Sequence, residues 1–171
     1  MRLYVITGGP CSGKTTLLEE LGRRRHKFIS ESAKEVIKEE QAKGVADPWH
    51  EKGFQEKIAA LQIKKEESIP GGNSIIFLDR ALPDGLAYSK FRGQKPPRNL
   101  TEAIKKCDYE KVFFLKQLPK YEQNSLRCET EEEAKQVGEL IKQVYRQFGY
   151  DVIEVPPMSI KERADFVIKN L

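Results

Sequence analysis

The stretch of this chain that most restricts its fold is "ITGGPCSGKTT", Ile6 to Thr16. Before it, Leu3 to Thr7 is a short apolar, β-branched run that reads as a buried strand. After it, Leu17, Leu18 and Leu21 recur at helical spacing from Lys14 onward. Gly8 to Thr15 fits G-x-x-x-x-G-K-[ST] without a gap, in the strand-loop-helix setting that gives this motif its meaning. Glycines let backbone N–H groups turn inward as an anion nest, and a helix N-terminus adds unpaired donors and the positive end of its dipole. Gly8, Gly9, Pro10, Cys11, Ser12, Gly13, Lys14, Thr15 and Thr16 are therefore the candidate triphosphate-binding residues. Lys14 would reach the β- and γ-phosphates, and Thr15 would give its hydroxyl to Mg²⁺.

A metal beside phosphates also needs a carboxylate. Asp79 closes "SIIFLD", a third strand apolar on both faces, and supplies one at the carboxyl edge of a buried strand. Its other reading is an N-cap for the helix that follows.

The rest of the chain alternates strands with helices. Lys27 to Ser30 reads as a second strand, "KVFFLK" as the fourth and "YDVIEV" as the fifth. Ser32 with Glu35 suggests a capping box for a helix through about Glu40, and Asp47-Pro48 the start of another reaching Glu67. Leu82 to Phe91 looks helical, followed by a surface loop "RGQKPPRN". Thr130 with Glu133 and Ser159 with Glu162 form further capping boxes, the last helix burying Ile160, Ala164, Val167, Ile168 and Leu171. This order predicts an α/β fold with helices on both faces of one parallel sheet, in a single nucleotide-binding domain over residues 1–171.

Composition narrows the partners. At 39% hydrophobic and 33% charged residues the chain is an ordinary globular one, and its apolar runs are too short to span a bilayer. No signal peptide is evident, and the expected location is the cytoplasm. Three distant cysteines with two histidines suit neither a zinc site nor a disulfide framework. A net charge of +4, without a basic stripe interleaved with aromatics, does not call for nucleic acid. The run from Arg23 to Lys27 reads as the solvated C-terminal end of a helix, and the acids from Glu129 to Glu133 as favourable charge in a first turn. Oligomeric state stays open.

No N/T-K-x-D guanine-reading element is present, which favours ATP, with GTP left open. Signatures of ABC-type ATPases are also missing. The segments "ITGGPCSGKTTLLEEL", "SESAKEVIKEE", "FLDRALPDGLAY" and "VFFLKQLPKYEQNSLRCETEEEA", in that order and spacing, resemble the short predicted ATPases grouped with the NadR-type nicotinamide riboside kinase domain. The resemblance spans essentially the whole chain and implies a P-loop kinase-like fold, strand order 2-3-1-4-5, with a lid.

It also implies roles. Glu31 stands where small-molecule kinases often keep a carboxylate that orients or deprotonates an acceptor hydroxyl or holds metal-bound water. Arg80, after Asp79, resembles the D-R pair of thymidylate and deoxynucleoside kinases, where the arginine clamps the acceptor; a structural ion pair is its alternative. Asp84 would meet acceptor hydroxyls, and Arg127 of the lid would stabilise the transferring phosphoryl group. The segment from Gly44 to Gly53 matches no nicotinamide-riboside pocket, so the acceptor is not carried over. The expectation is an Mg²⁺-dependent phosphotransferase joining a nucleoside triphosphate to a small acceptor; the alternative is a nucleotide-binding switch or slow NTPase that governs a protein or lipid partner.

Overall fold

A computed structural model describes residues 2–118 and 129–171. Five parallel strands form one sheet: β1 (Arg2–Thr7), β2 (Lys27–Ile29), β3 (Ile75–Asp79), β4 (Tyr109–Leu115) and β5 (Val152–Val155), in the order β2-β3-β1-β4-β5. Around it lie α1 (Lys14–Arg23), α2 (Ser32–Ala42), α3 (Phe54–Glu67), α4 (Leu82–Phe91), α5 (Leu100–Lys106), α6 (Glu131–Gln147) and α7 (Ile160–Lys169).

The period of two along each strand explains the layering. Leu3, Val5, Ile76, Leu78, Val112 and Phe114 face one way and pack with Leu86 and Ala87 of α4, Ile104 of α5 and Val137 and Ile141 of α6. Tyr4, Ile6, Phe77, Phe113 and Leu115 face the other and meet Leu17, Leu18 and Leu21 of α1 and Ala164 and Val167 of α7. Each such side chain, fully buried, contributes about 1.5–3 kcal/mol of transfer free energy. The register sets Ile6 of β1 beside Asp79 of β3, so the end of the glycine-loop strand and the acidic strand end share one edge.

Local expectations hold at α4, α6 and α7, where Thr130 and Ser159 each accept from the N–H three residues on. Elsewhere tertiary partners win. Ser32 is inside α2, with Glu31 as the cap residue, and its hydroxyl donates to Gln62 of α3 at 2.7 Å. Glu35 is taken by Ser30 and Lys65, so no capping box forms there. The helix expected from Asp47 is broken: Pro48–His50 is a single 3₁₀ turn, and α3 starts only after Gly53, whose φ of +87° turns the chain. Helix α5 lies past the proline loop, where no helix was expected. Ile160, expected inside, is 44% exposed because it opens α7 at its solvent side.

Candidate functional site

The loop between β1 and α1 is held open by close packing. A Cβ on Gly8 would lie 2.6 Å from the Leu115 carbonyl oxygen, and one on Gly9 2.6 Å from that of Ala134. Glycine is thus demanded by β4 and α6 as well as by the turn. Cys11 adopts a left-handed backbone at φ +59°, and Gly13 ends the loop at φ +85°. Helix α1 begins with no side-chain cap and no acid in its first turn. Its leading N–H groups and dipole therefore face the loop without an internal anion to satisfy them.

Lys14 folds back into this loop. Its Nζ donates to the carbonyls of Gly8 (3.1 Å) and Gly9 (2.9 Å) and to Ser12 Oγ (3.3 Å). These acceptors are neutral, so burial, reinforced by the charge of Arg80, pushes the ammonium down to about 7. A phosphate would reverse that by supplying the missing negative charge. The Thr16 hydroxyl donates to Gly13 O at 2.9 Å, which ties it to the loop's own backbone.

Sequence reasoning missed the buttress of this loop. Arg163 of α7, 2% exposed, donates to Ser12 O at 2.6 Å, Lys116 O at 3.1 Å and Pro156 O at 3.0 Å. It stitches the loop to the ends of β4 and β5 from 151 residues away, and nothing local marks it.

A charged wall stands opposite the loop. Arg80 leaves β3 with φ +65°, a left-handed conformation that is costly for a residue with a Cβ and that aims its guanidinium back across the sheet edge. Nε meets Glu31 Oε1 at 2.8 Å, Nη1 meets Asp84 Oδ1 at 2.9 Å, and Nη2 donates to Tyr88 Oη at 3.2 Å. Burial pushes the Glu31 carboxyl up, but Arg80, then Lys34 and Lys14, outweigh it and hold it near about 2. Asp84 also accepts from Thr7 Oγ1 (2.5 Å), Ala81 N (3.1 Å) and Tyr145 Oη (2.6 Å). Both its oxygens are consumed by the protein, which makes it the hub joining β1, α4 and α6 and leaves nothing for acceptor hydroxyls.

Asp79 is 4% exposed, and its Oδ1 has no hydrogen-bond partner. Burial, then the neighbouring Glu31, raises its carboxyl. It does not cap α4; Ala81 stands at that position. Lys34 of α2 lies 2.8 Å from Thr15 Oγ1, 3.2 Å from Glu31 Oε2 and 3.5 Å from Asp79 Oδ2. The structure brings Lys14, Thr15, Glu31, Asp79 and Arg80 together at this edge of the sheet.

The loop and Arg80 both line one cleft of about 250 Å³. Its apolar lining includes Trp49, Phe54, Ile58, Leu82, Tyr88 and Leu100. Gln55 is 7% exposed, and among the described residues its side-chain amide makes no hydrogen bond. The only sequence signal for it was an amide beside Phe54 on a helix face otherwise used for packing. Glu129 was expected as a first-turn acid. It instead precedes the cap of α6, is 9% exposed, lines the cleft and lies 3.6 Å from Arg92. Arg127 of the expected lid falls outside the described residues.

Among the described residues no helix is long and apolar enough to cross a membrane. No curated protein matches the chain. Among solved structures, NadR in complex with NAD and AMP-PNP superposes with a TM-score of 0.72 at 19% identity, over 98% of this chain and 49% of that one. This chain therefore spans about half the length of NadR. Deoxyadenosine kinase from M. mycoides, with dCMP and dCDP bound, gives 0.71 at 14% identity over 98% and 97% of the two chains. Thymidylate kinase from Candida albicans gives 0.59 at 15% identity, over 99% and 90%. These likenesses share the P-loop kinase fold, and a family described as an AAA domain matches residues 3–163. With that match across nearly its whole length, this chain belongs to the AAA domain family.

Proposed function

We propose that this protein transfers the terminal phosphoryl group of a nucleoside triphosphate, ATP before GTP, to a small acceptor held in the apolar cleft. The observation that carries this reading is one continuous space lined by both the phosphate loop and the Glu31–Arg80 pair. Fold neighbours that bind NR, dCMP or dATP support an acceptor with a flat heterocycle and a sugar. The apolar walls suit such a ring, and the Gln55 amide would meet its polar edge.

The donor half follows from the loop. Its N–H groups and Lys14 would bind the β- and γ-phosphates. Thr15 and Asp79 would hold Mg²⁺: the partnerless Oδ1 of Asp79 is a buried anion that a cation would satisfy. Two such ligands would leave the rest of the metal's coordination to phosphate and water. When bound, Mg²⁺ neutralises charge developing on the phosphate oxygens.

At its low pKa, Glu31 is a weak base, and its task is to accept a hydrogen bond from the acceptor hydroxyl and aim it. In a loose phosphoryl-transfer transition state little proton abstraction is required early. Arg80 fixes Glu31 and presents positive charge to the acceptor.

The test is a panel of nucleosides, nucleoside monophosphates and sugars with the full chain, ATP and Mg²⁺, reading ADP release and phosphorylated product. ADP formation should rise with one acceptor class, and Glu31→Gln should lower kcat by up to about 10²-fold, the cost of a misaimed acceptor hydroxyl. ATP turnover unchanged by every acceptor would sink the phosphotransferase reading and leave a nucleotide-binding switch or slow NTPase.

A further inference from the structure

Lys34 stands one helical turn beyond Glu31, and its ammonium touches an oxygen of Thr15, of Glu31 and of Asp79. Two of these three residues, Thr15 and Asp79, are the proposed metal ligands. Left to themselves, the Glu31 and Asp79 carboxylates would repel each other at this buried edge. A protein cation between them removes that repulsion.

We propose that Lys34 is a built-in substitute for the metal, which occupies the cation position until Mg²⁺ arrives with the triphosphate and is then expelled. An ammonium and a divalent ion cannot share oxygens at hydrogen-bond distance, because like charges so close in a shielded site repel strongly. Lys34 also has somewhere to go. Its side chain is 39% exposed and already borders a second hollow of about 230 Å³, which Asp79 and Glu31 line together with Thr15, Glu19 and Glu35. Rotation of its flexible stem would carry the ammonium toward Glu19 and Glu35 and away from Asp79.

The consequence is an order of binding. Metal alone meets a site already neutralised and is held weakly. Metal carried on a triphosphate brings enough negative charge, with the loop amides to receive it, to displace the lysine. Lys34 is thus a positioning residue that couples metal entry to nucleotide entry, and it offsets the repulsion between the carboxylates when the site holds neither. It can play this part only if Asp79 and Thr15 hold the metal as proposed above, whatever the acceptor is.

The experiment titrates the full chain with Mn²⁺ alone, without nucleotide, and reads free Mn²⁺ by electron paramagnetic resonance. Lys34→Gln should bind Mn²⁺ about tenfold or more tighter than the unsubstituted protein. Lys34→Arg, which keeps the charge, should stay at the unsubstituted affinity, and Asp79→Asn in the Lys34→Gln background should lose the gain. Thermal melts establish that each variant is folded. Equal or weaker Mn²⁺ binding by Lys34→Gln overturns the proposal, and so does a gain in Lys34→Arg as large as in Lys34→Gln. If Mn²⁺ binding ignores Asp79→Asn, the metal assignment falls with it. If Asp79→Asn matters and Lys34→Gln does not, only the role of Lys34 falls.

Discussion

Replacing Lys14 with Met should remove a buried-charge cost from the protein without nucleotide while abolishing triphosphate binding. The ammonium is buried against neutral acceptors and titrates near about 7 in the fold, against 10.5 for an ordinary lysine. Because the folded value is the lower one, the unfolded chain binds the extra proton between these values, and stability rises with pH across that window. At about 1.36 kcal/mol per unit, holding this lysine at pH 7 costs the apo fold about 4 kcal/mol. Met removes that cost but forfeits three hydrogen bonds, each worth about 0.5–1.5 kcal/mol, so the net change at pH 7 lies between a loss of about 0.5 and a gain of about 2.5 kcal/mol.

The pH dependence is the sharper measurement. From pH 7 to 9 the stability of the unsubstituted protein minus that of Lys14→Met should climb by about 2 kcal/mol, since Lys14 is still half protonated in the fold at the start. Urea unfolding at pH 7, 8 and 9 gives both terms, and every group common to the two proteins cancels. A difference that stays flat or falls with pH would refute the claim that Lys14 is desolvated without an anion. Saturating ATP should stabilise only the unsubstituted protein, by RT ln(1 + [L]/Kd).

Three further outcomes are expected. Arg163→Met leaves the carbonyls of Ser12, Lys116 and Pro156 without their donor; it should cost about 2–4 kcal/mol in urea unfolding and weaken ATP binding in a fluorescent-nucleotide titration. Asp84→Asn strips acceptors from Thr7, Arg80 and Tyr145; loss of this buried charge should destabilise by about 3–5 kcal/mol, measured the same way. Gln55→Leu should leave unfolding and ATP affinity within error but lower kcat/KM for the preferred acceptor by about tenfold or more, as unpaired hydrogen-bonding groups on the acceptor would predict.

The strands, most of the helices and the phosphate loop were legible because each depends on near neighbours: short β-branched runs, a period of 3.6, and a loop whose residue types are dictated by what they cradle; the sheet order came from the family resemblance. The features that escaped depend on distant partners. Ser32 and Glu35 have capping-box spacing, yet Gln62, Ser30 and Lys65 claim their side chains. Arg163 reads as one more charge on a helix and is in fact 2% exposed beneath the loop. Glu129 heads an acidic run whose other members face solvent, and only the packing of the run's start against Arg92 separates it. Asp84 was legible as an acid near the site but not as a hub, because Thr7 and Tyr145 reach it from β1 and α6.

Charge pairing explains how such a site can exist without its ligands. Lys34 rests on Glu31 and Asp79, Arg80 on Glu31 and Asp84, and Arg92 near Glu129. Ligand binding at these positions is therefore an exchange of one acceptor for another, which limits the net gain because each cation gives up a partner as it gains one. Lys14 differs: it has only carbonyls and a hydroxyl to surrender, and a phosphate replaces these neutral acceptors with full negative charge. The same burial that makes it costly in the apo fold makes it the point where triphosphate binding gains most. Arg80 and Lys34, already satisfied, can contribute chiefly to selectivity and order of assembly. Stability given up at the loop lysine and specificity held in the opposing ion pairs are thus two results of one distribution of charge along the strand ends.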